Sequence, residues 1–436
     1  MNPIGGTAAS SDLRGGGGQT FLFLQGHPSG FARDLATALE DAGCRALRVN
    51  FCAGDWLYWF RRPAINYRGS LAQWPEFLKR LIVQEKVTGV IYYGDSRPYH
   101  RIAADVAASL GVHTYAYEFG YLRPDWITLE RGGMTGRSHF PADPDAIRAI
   151  GAKFLRPEAK PRFHYTMSGE LTHEIFYNLS IYFLHFTFPR YQADRYYNPI
   201  VEYLTGVPKQ IRAGQAKAEA QDVVKRLVDD RCRFFLFPLQ LQNDYQLRSN
   251  AEFAHQSDAI RAVIASFATH AAADDRLVLK CHPLDNGGEN WPKHIKKAAT
   301  AAGVADRVAY IEGGDLAVLL DHACGTITIN STVGMHALVS GGSVKVLGTA
   351  LFDIEGLTHQ GSLDTFWTSP TQPDAELVDA LVRALAGTIQ VRGDFFSREG
   401  RKAAIKVFVE RLTMGSVNGH GAFVDPPPRL NSRSVV

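Results

Sequence analysis

The residues of this 436-residue chain best suited to chemistry sit in polar motifs that each follow a short apolar run. YYGDSRPYHR, from Tyr92 to Arg101, carries Asp95, Arg97 and His100, and YEFGYLRPDWITLERGG, from Tyr117 to Gly133, carries Glu118, Arg123 and Glu130. Carboxylates can move protons or attack an electron-poor carbon, and guanidinium groups clamp carboxylate or phosphate with paired donors. In an open parallel sheet ligands gather beyond the carboxyl ends of the strands, so both motifs are expected to face one cleft. Taken singly, each residue reads equally well as a helix cap or a surface ion pair. A third motif, PLQLQNDYQL from Pro238 to Leu247, offers Gln240 as a substrate contact, together with Asp244. Asp244 is either the cap of the helix that follows or a nucleophile or acid/base group for sugar chemistry.

Anion chemistry is suggested further along. LVLKCHP presents Lys280, His282 and Pro283, and TITINS presents Asn330, Ser331 and Thr332 at the start of the helix TVGMHAL. Amides and hydroxyls at a helix start, with His and Lys nearby, suit a nucleotide phosphate. Ser331 and Thr332 also read as ordinary caps, and His-Pro as a turn. Phosphate loops of the GxxxxGK[ST] kind, a full GxGxxG, HExxH and GxSxG are missing, which argues against P-loop kinases, simple dehydrogenases, zincins and α/β-hydrolases. Without a DxD pair between strands of the first half, no obligatory metal ion is expected.

Around these motifs apolar runs alternate with helical periods, the pattern of βαβ units with parallel sheets. The length suits two such domains. The fold class expected is α/β, two Rossmann-like domains with an inter-domain cleft. Residues 1–18 read as a flexible leader ending in glycines, 19–150 as the N-terminal Rossmann-like acceptor domain and 151–230 as an aromatic-rich helical linker. Residues 231–390 read as the C-terminal nucleotide-sugar domain, 391–414 as a C-terminal helix and 415–436, with its PPP, as a disordered tail. A net charge of +3 predicts no nucleic-acid partner, and five scattered cysteines without a CxxC pair predict a reducing compartment. The most apolar stretch, Ile175 to Pro189, is shorter than the roughly 20 residues of a membrane span. It reads as a packed linker, or as an interfacial surface in which Arg190 and Arg195 meet lipid phosphate.

The motifs FLFLQG, RVNFCAGD, YYGDSRPYH, YEFGYLRPDWITLERGG, PLQLQNDYQ, KCHPLDNG, INSTVGMHAL and VKVLGTALFDIEGLT occur in one order from Phe21 to Thr358. Together they resemble the KpsS/LipB-type capsule polysaccharide biosynthesis proteins of Gram-negative bacteria. The resemblance implies a GT-B-like, retaining β-Kdo transferase that uses CMP-Kdo as donor substrate, without cofactor, and starts a Kdo linker on a phosphatidylglycerol-type lipid. It implies a cytoplasmic protein peripheral to the inner face of the inner membrane, with a nucleotide sugar, a phospholipid and other capsule assembly proteins as partners. Asp244 would be nucleophile and Glu118 base, or the reverse, with Asp95 and Glu130 as outside candidates. His282, Ser331 and Thr332 would serve the leaving phosphate, and Arg97 and Arg123 the Kdo carboxylate or acceptor phosphate. Linker-extending relatives commonly carry a second carboxylate where this chain has Phe119, which weakens roles assigned by analogy. Two other classes remain: a non-catalytic nucleotide-sugar or lipid-binding assembly or export protein, and a UDP-sugar epimerase or transferase.

Overall fold

The computed structural model describes residues 18–430 except 61, 165–166, 194–198, 243–246, 248–252 and 254. Its first sheet is built from β1 (Thr20–Phe23), β2 (Arg45–Asn50), β3 (Ile65–Asn66), β4 (Gly89–Tyr93), β5 (His113–Phe119) and β6 (Trp126–Arg131). The second contains β7 (Phe234–Pro238), β8 (Arg276–Lys280), β9 (Val308–Ile311), β10 (Gly325–Thr328) and β11 (Val344–Val346). A last strand, β12 (Gln390–Arg392), returns to the first sheet, whose order is β12-β6-β5-β4-β1-β2-β3. The second sheet, β11-β10-β7-β8-β9, is parallel throughout. These are two Rossmann-like α/β units.

The strands are continuously apolar because alternate side chains enter different cores. Phe21 and Phe23 pack with Phe31, Leu35 and Leu39, whereas Leu22 and Leu24 pack with Trp74, Leu78 and Ala103. In the second unit Phe235 and Phe237 face Val263 and Phe267, while Phe234 and Leu236 face Leu338 and Leu381. Both sheets therefore present their strand ends, and the loops after them, as the parts free of core duty.

Three expectations change in the structure. The segment after Glu118 is a hairpin rather than one loop: β6 runs antiparallel to β5, pairing Glu118 with Thr128 and Ala116 with Glu130. The helix Pro144–Gly151, counted with the first domain in the sequence, buries Ile147 and Ile150 in the second unit's core. Gly151 lies so near the helix Ala375–Thr388 that a Cβ there would sit 2.5 Å from the Ala380 carbonyl. The described part of the tail, residues 415–430, packs on the body of the protein. Val417 and Ala422 are buried, Asn418 Oδ1 accepts from the Arg131 amide at 2.8 Å, and the buried Arg429 donates to the carbonyls of Phe140 and Pro141. Its prolines exclude regular structure but leave side chains that find partners on the body of the protein.

Between the units run the helices Met167–Phe183 and Pro199–Asp229. The first is anchored by Tyr177, whose hydroxyl donates to Asp55 at 3.1 Å and accepts from Gln25 Nε2 at 2.7 Å. Gly54 makes room for it, since a Cβ there would lie 2.5 Å from the Tyr177 ring. Among the described residues no helix is long and apolar enough to cross a membrane.

Candidate functional site

Glu118, the last but one residue of β5, is half-buried beside a cluster of opposite and like charges. Tyr93, at the end of the neighbouring β4, has its hydroxyl pushed well above the ordinary value by burial and then by the Glu118 charge, against Arg97 and Arg123. The Arg97 guanidinium lies 5.8 Å from the Tyr93 ring and that of Arg123 lies 4.9 Å from the Phe119 ring. Both cations and Glu118 thus act on the Tyr93 hydroxyl. Arg123 also reaches across to the second unit. Burial pushes His282 down to about 4, with the Arg123 charge as the next cause, and burial followed by Arg123 lowers His336 as well. Glu170, at the start of the aromatic helix, is raised by burial and held back by the same Arg123.

In the second unit His282 follows β8 and accepts the Leu284 amide on Nδ1 at 3.1 Å. With Nδ1 an acceptor, the proton of the neutral ring sits on Nε2, which becomes the donor. The loop beyond it is pinned by Asp285, which takes Lys209 at 2.5 Å and the Trp291 indole at 2.9 Å. Lys280, buried at the end of β8, is lowered by burial, while Pro283 is exposed beside His282. Ser331 spends its hydroxyl on the Val333 amide at 3.2 Å, and Thr332 makes no side-chain cap to the seven-residue helix Val333–Val339.

Other candidates build the loops. Gln240 and Asn330 pair with each other, Nε2 to Oδ1 at 2.8 Å and the Asn330 amide to Oε1 at 3.1 Å, tying the ends of β7 and β10. Gln240 is 4% exposed and is a brace rather than a substrate contact. Asp95 accepts the Met134 amide at 2.9 Å and the Ser96 hydroxyl at 3.1 Å. His100, fully buried, donates from Nδ1 to the Gly94 carbonyl at 2.8 Å, closing the turn in which Gly94 adopts φ 65°. Glu130 is fully buried on β6, accepts from Ser138, and is pushed up to about 8 by burial, with Arg429 opposing. Asp95, His100 and Glu130 therefore do not line the cleft. A strand-end position does not decide whether a side chain turns outward or back under its own loop. Asp244 and Arg195 lie outside the described residues. Among the described residues no group of His, Cys, Asp and Glu is placed to hold a metal ion.

The site also gains His27, Glu170 and His336, which motif reading passed over. His27 stands at the end of FLFLQGH, where the same strand-end rule could have found it. His336 lies in a helical stretch of mostly apolar neighbours and Glu170 at the start of the aromatic linker, so only the approach of Arg123 distinguishes them.

The arrangement can be set beside known proteins. The family described as "Capsule polysaccharide biosynthesis protein" matches residues 88–396. The capsule polysaccharide export protein KpsS of Escherichia coli is 34% identical over 367 residues, 83% of this chain and 92% of that protein. The chain belongs to the capsule polysaccharide biosynthesis protein family. The capsule polysaccharide modification protein LipB of Neisseria meningitidis serogroup A is 32% identical over 87% of this family member and 92% of its own length. Among solved structures, the β-Kdo 2,7 transferase KpsC of Thermosulfurimonas dismutans is similar at TM-score 0.43 and 11% identity, over 91% of this chain and 98% of that one.

Proposed function

We propose that this family member transfers Kdo from CMP-Kdo to a phosphatidylglycerol-type lipid, with retention of anomeric configuration. One observation supports the reading: the charge of Arg123 of the first unit lowers His282 and His336 of the second and acts with Glu118 on the Tyr93 hydroxyl, so the two units share one electrostatic neighbourhood. Such a cleft suits an anionic sugar and its leaving phosphate. His282 Nε2–H, with Lys280, Ser331 and Thr332 nearby, stabilises charge on departing CMP, and Arg123 pairs with the Kdo carboxylate. Retention follows from two displacements. Asp244 attacks the anomeric carbon as the bond to CMP breaks. Glu118 then takes the proton of an acceptor hydroxyl as that oxygen displaces Asp244.

A lipid acceptor is reached from the membrane surface through the exposed Trp56, Phe60, Phe176, Phe183 and Phe186, carried by elements that pack on each other. The decisive experiment incubates the full chain with CMP-Kdo and a fluorescent lyso-phosphatidylglycerol, weighs the product by mass spectrometry and reads its anomer by NMR. One added Kdo in the donor's configuration is expected. No addition by a chain that still binds CMP would leave the second reading, a binding role in capsule assembly, which the name of the Escherichia coli relative, an export protein, favours.

A further inference from the structure

The linker helix Pro199–Asp229 is fastened to the second unit. Ala220 and Val224 are buried in that unit's core, and Gly313 leaves room for the helix, since a Cβ there would lie 3.2 Å from Lys217 Cα. Nearer its start the helix meets the loop that carries His282. A Cβ on Gly206 would lie 3.8 Å from the Asn286 carbonyl oxygen, and Lys209, one turn further on, ends inside that loop. Its Nζ donates to Asp285 Oδ1 at 2.5 Å and lies 3.3 Å from Cys281 Sγ. The Asp285 side chain, 6% exposed, is the hub of the loop. Oδ1 also accepts the Gly287 amide at 2.9 Å, and Oδ2 accepts the Trp291 indole at 2.9 Å. The Asp285 amide in turn donates to the His282 carbonyl at 3.0 Å, closing a turn in which the Leu284 amide is aimed at His282 Nδ1.

Charge makes this tie more than packing. A carboxylate so far from water needs a paired cation, and among the described residues Lys209 is the cation within 4 Å of Asp285. Burial disfavours the Lys209 ammonium, but its bond to Asp285 raises it above the ordinary lysine value, so the charge persists at neutral pH. We propose that Lys209 is a positioning residue of the donor site: through Asp285 it holds the His282 ring with Nε2–H presented to the leaving phosphate. The proposal rests on the transfer reading above, in which His282 serves that phosphate. Without the cation Asp285 turns toward water, the turn opens, and the Leu284 amide leaves Nδ1. The ring then rotates and carries its proton on either nitrogen. Lys209 is itself spent on Asp285 and Cys281, and it acts on the donor only through His282.

A double-mutant cycle on the full chain tests this by calorimetric titration with CMP. Lys209→Met and His282→Ala should each weaken CMP binding by about tenfold, and the double variant no more than either, because the second change removes what the first has already lost. Lys209→Arg, which keeps a cation on Asp285, should restore the affinity. Histidine-selective 15N NMR, with His282→Ala assigning the signal, reads the ring directly. Wild type should show the His282 proton on Nε2, and Lys209→Met should share it between both nitrogens. A tie that only adds stability would lower the melting temperature and leave affinity and tautomer unchanged. Should Lys209→Met fail to fold, Asp285→Asn breaks the same pair from the other side, with the same two changes expected. Wild-type CMP affinity in the Lys209→Met chain, or a loss that adds to that of His282→Ala, overturns the positioning role and leaves the transfer reading standing. CMP affinity unchanged by His282→Ala ends the phosphate role of His282 in that reading; the tautomer then decides the hold on the ring, and an unshifted proton in Lys209→Met overturns it.

Discussion

Glu118 and His282 are expected to fail differently when altered, because one acts on the acceptor proton and the other on the donor phosphate. Glu118→Gln should lower kcat by about 10² or more and leave CMP affinity unchanged, the effect of losing a positioned base. His282→Ala should weaken CMP binding by about tenfold, since its donor serves ground and transition states alike. Calorimetric CMP titration beside a turnover assay reads both, and near-normal turnover by Glu118→Gln would remove it from the chemistry. His100 makes a pH prediction. Its ring titrates near 6.5 when unfolded and at about 3 when folded, owing to burial. Between those values the unfolded chain holds a proton that the folded one lacks, so the contribution is present above pH 6.5 and lost as pH falls toward 3. The slope is at most about 1.4 kcal/mol per pH unit. His100→Asn should flatten the fall in melting temperature between pH 6.5 and 4; an equally steep fall would assign it to other groups. Residue types in the motifs were legible in the sequence, but their partners were not. Gln240 and Asn330 are 90 positions apart, and nothing local to either announces that they bond to each other.

At the scale of elements, the aromatic helix Met167–Phe183 has two unlike sides. Tyr177 is locked into the Gln25 and Asp55 network, while Phe176, Phe183 and the nearby Phe186 are 54%, 63% and 66% exposed. Exposed aromatic side chains with basic residues such as Arg190 close by are the composition of an interfacial surface. The double substitution Phe183→Ser with Phe186→Ser should therefore reduce sedimentation with phosphatidylglycerol vesicles by about tenfold, given the apolar area removed from contact. Binding by the wild type should weaken as salt rises, through screening of the basic groups. Vesicle binding by the double variant equal to wild type would leave this helix a structural linker. Its helical character and aromatic content were visible in the sequence. Which side faces the protein was decided by Tyr177 and by the space that Gly54 leaves for it.

For the whole molecule, the return of the chain to the first sheet ties the two units together. After β12, the helix Arg398–Thr413 packs Phe408 against Phe31 at 5.1 Å, and the tail continues to Arg429. Arg429 is 4% exposed, donates to the carbonyls of Phe140 and Pro141, and acts electrostatically on Glu130 and Asp353. Removing such a buried partner strands carbonyls and carboxyls together. Arg429→Ala should destabilise the protein by about 2–3 kcal/mol in denaturant unfolding, the cost of leaving the buried Phe140 and Pro141 carbonyls without a donor. A loss below about 0.5 kcal/mol, typical of a surface change, would make the tail a surface attachment.

The sequence by itself determined the α/β class, the order of most strands and helices, and membership of the capsule family. Each of these depends on local periodicity or on motif order, which survive without knowledge of distant contacts. Tertiary structure decided the rest. β12 has three residues, too few to show a period, and becomes a strand because Val391 is buried beside β6. β6 reads as loop because it is an antiparallel strand closing a hairpin in a series of parallel units. Asp95, His100 and Glu130 follow the same strand-end rule as Glu118, yet they turn inward to Met134, Gly94 and Ser138. A buried polar group takes whichever partner the fold brings within about 3 Å, whether from its own turn, as Gly94 does for His100, or from 39 positions away, as Met134 does for Asp95.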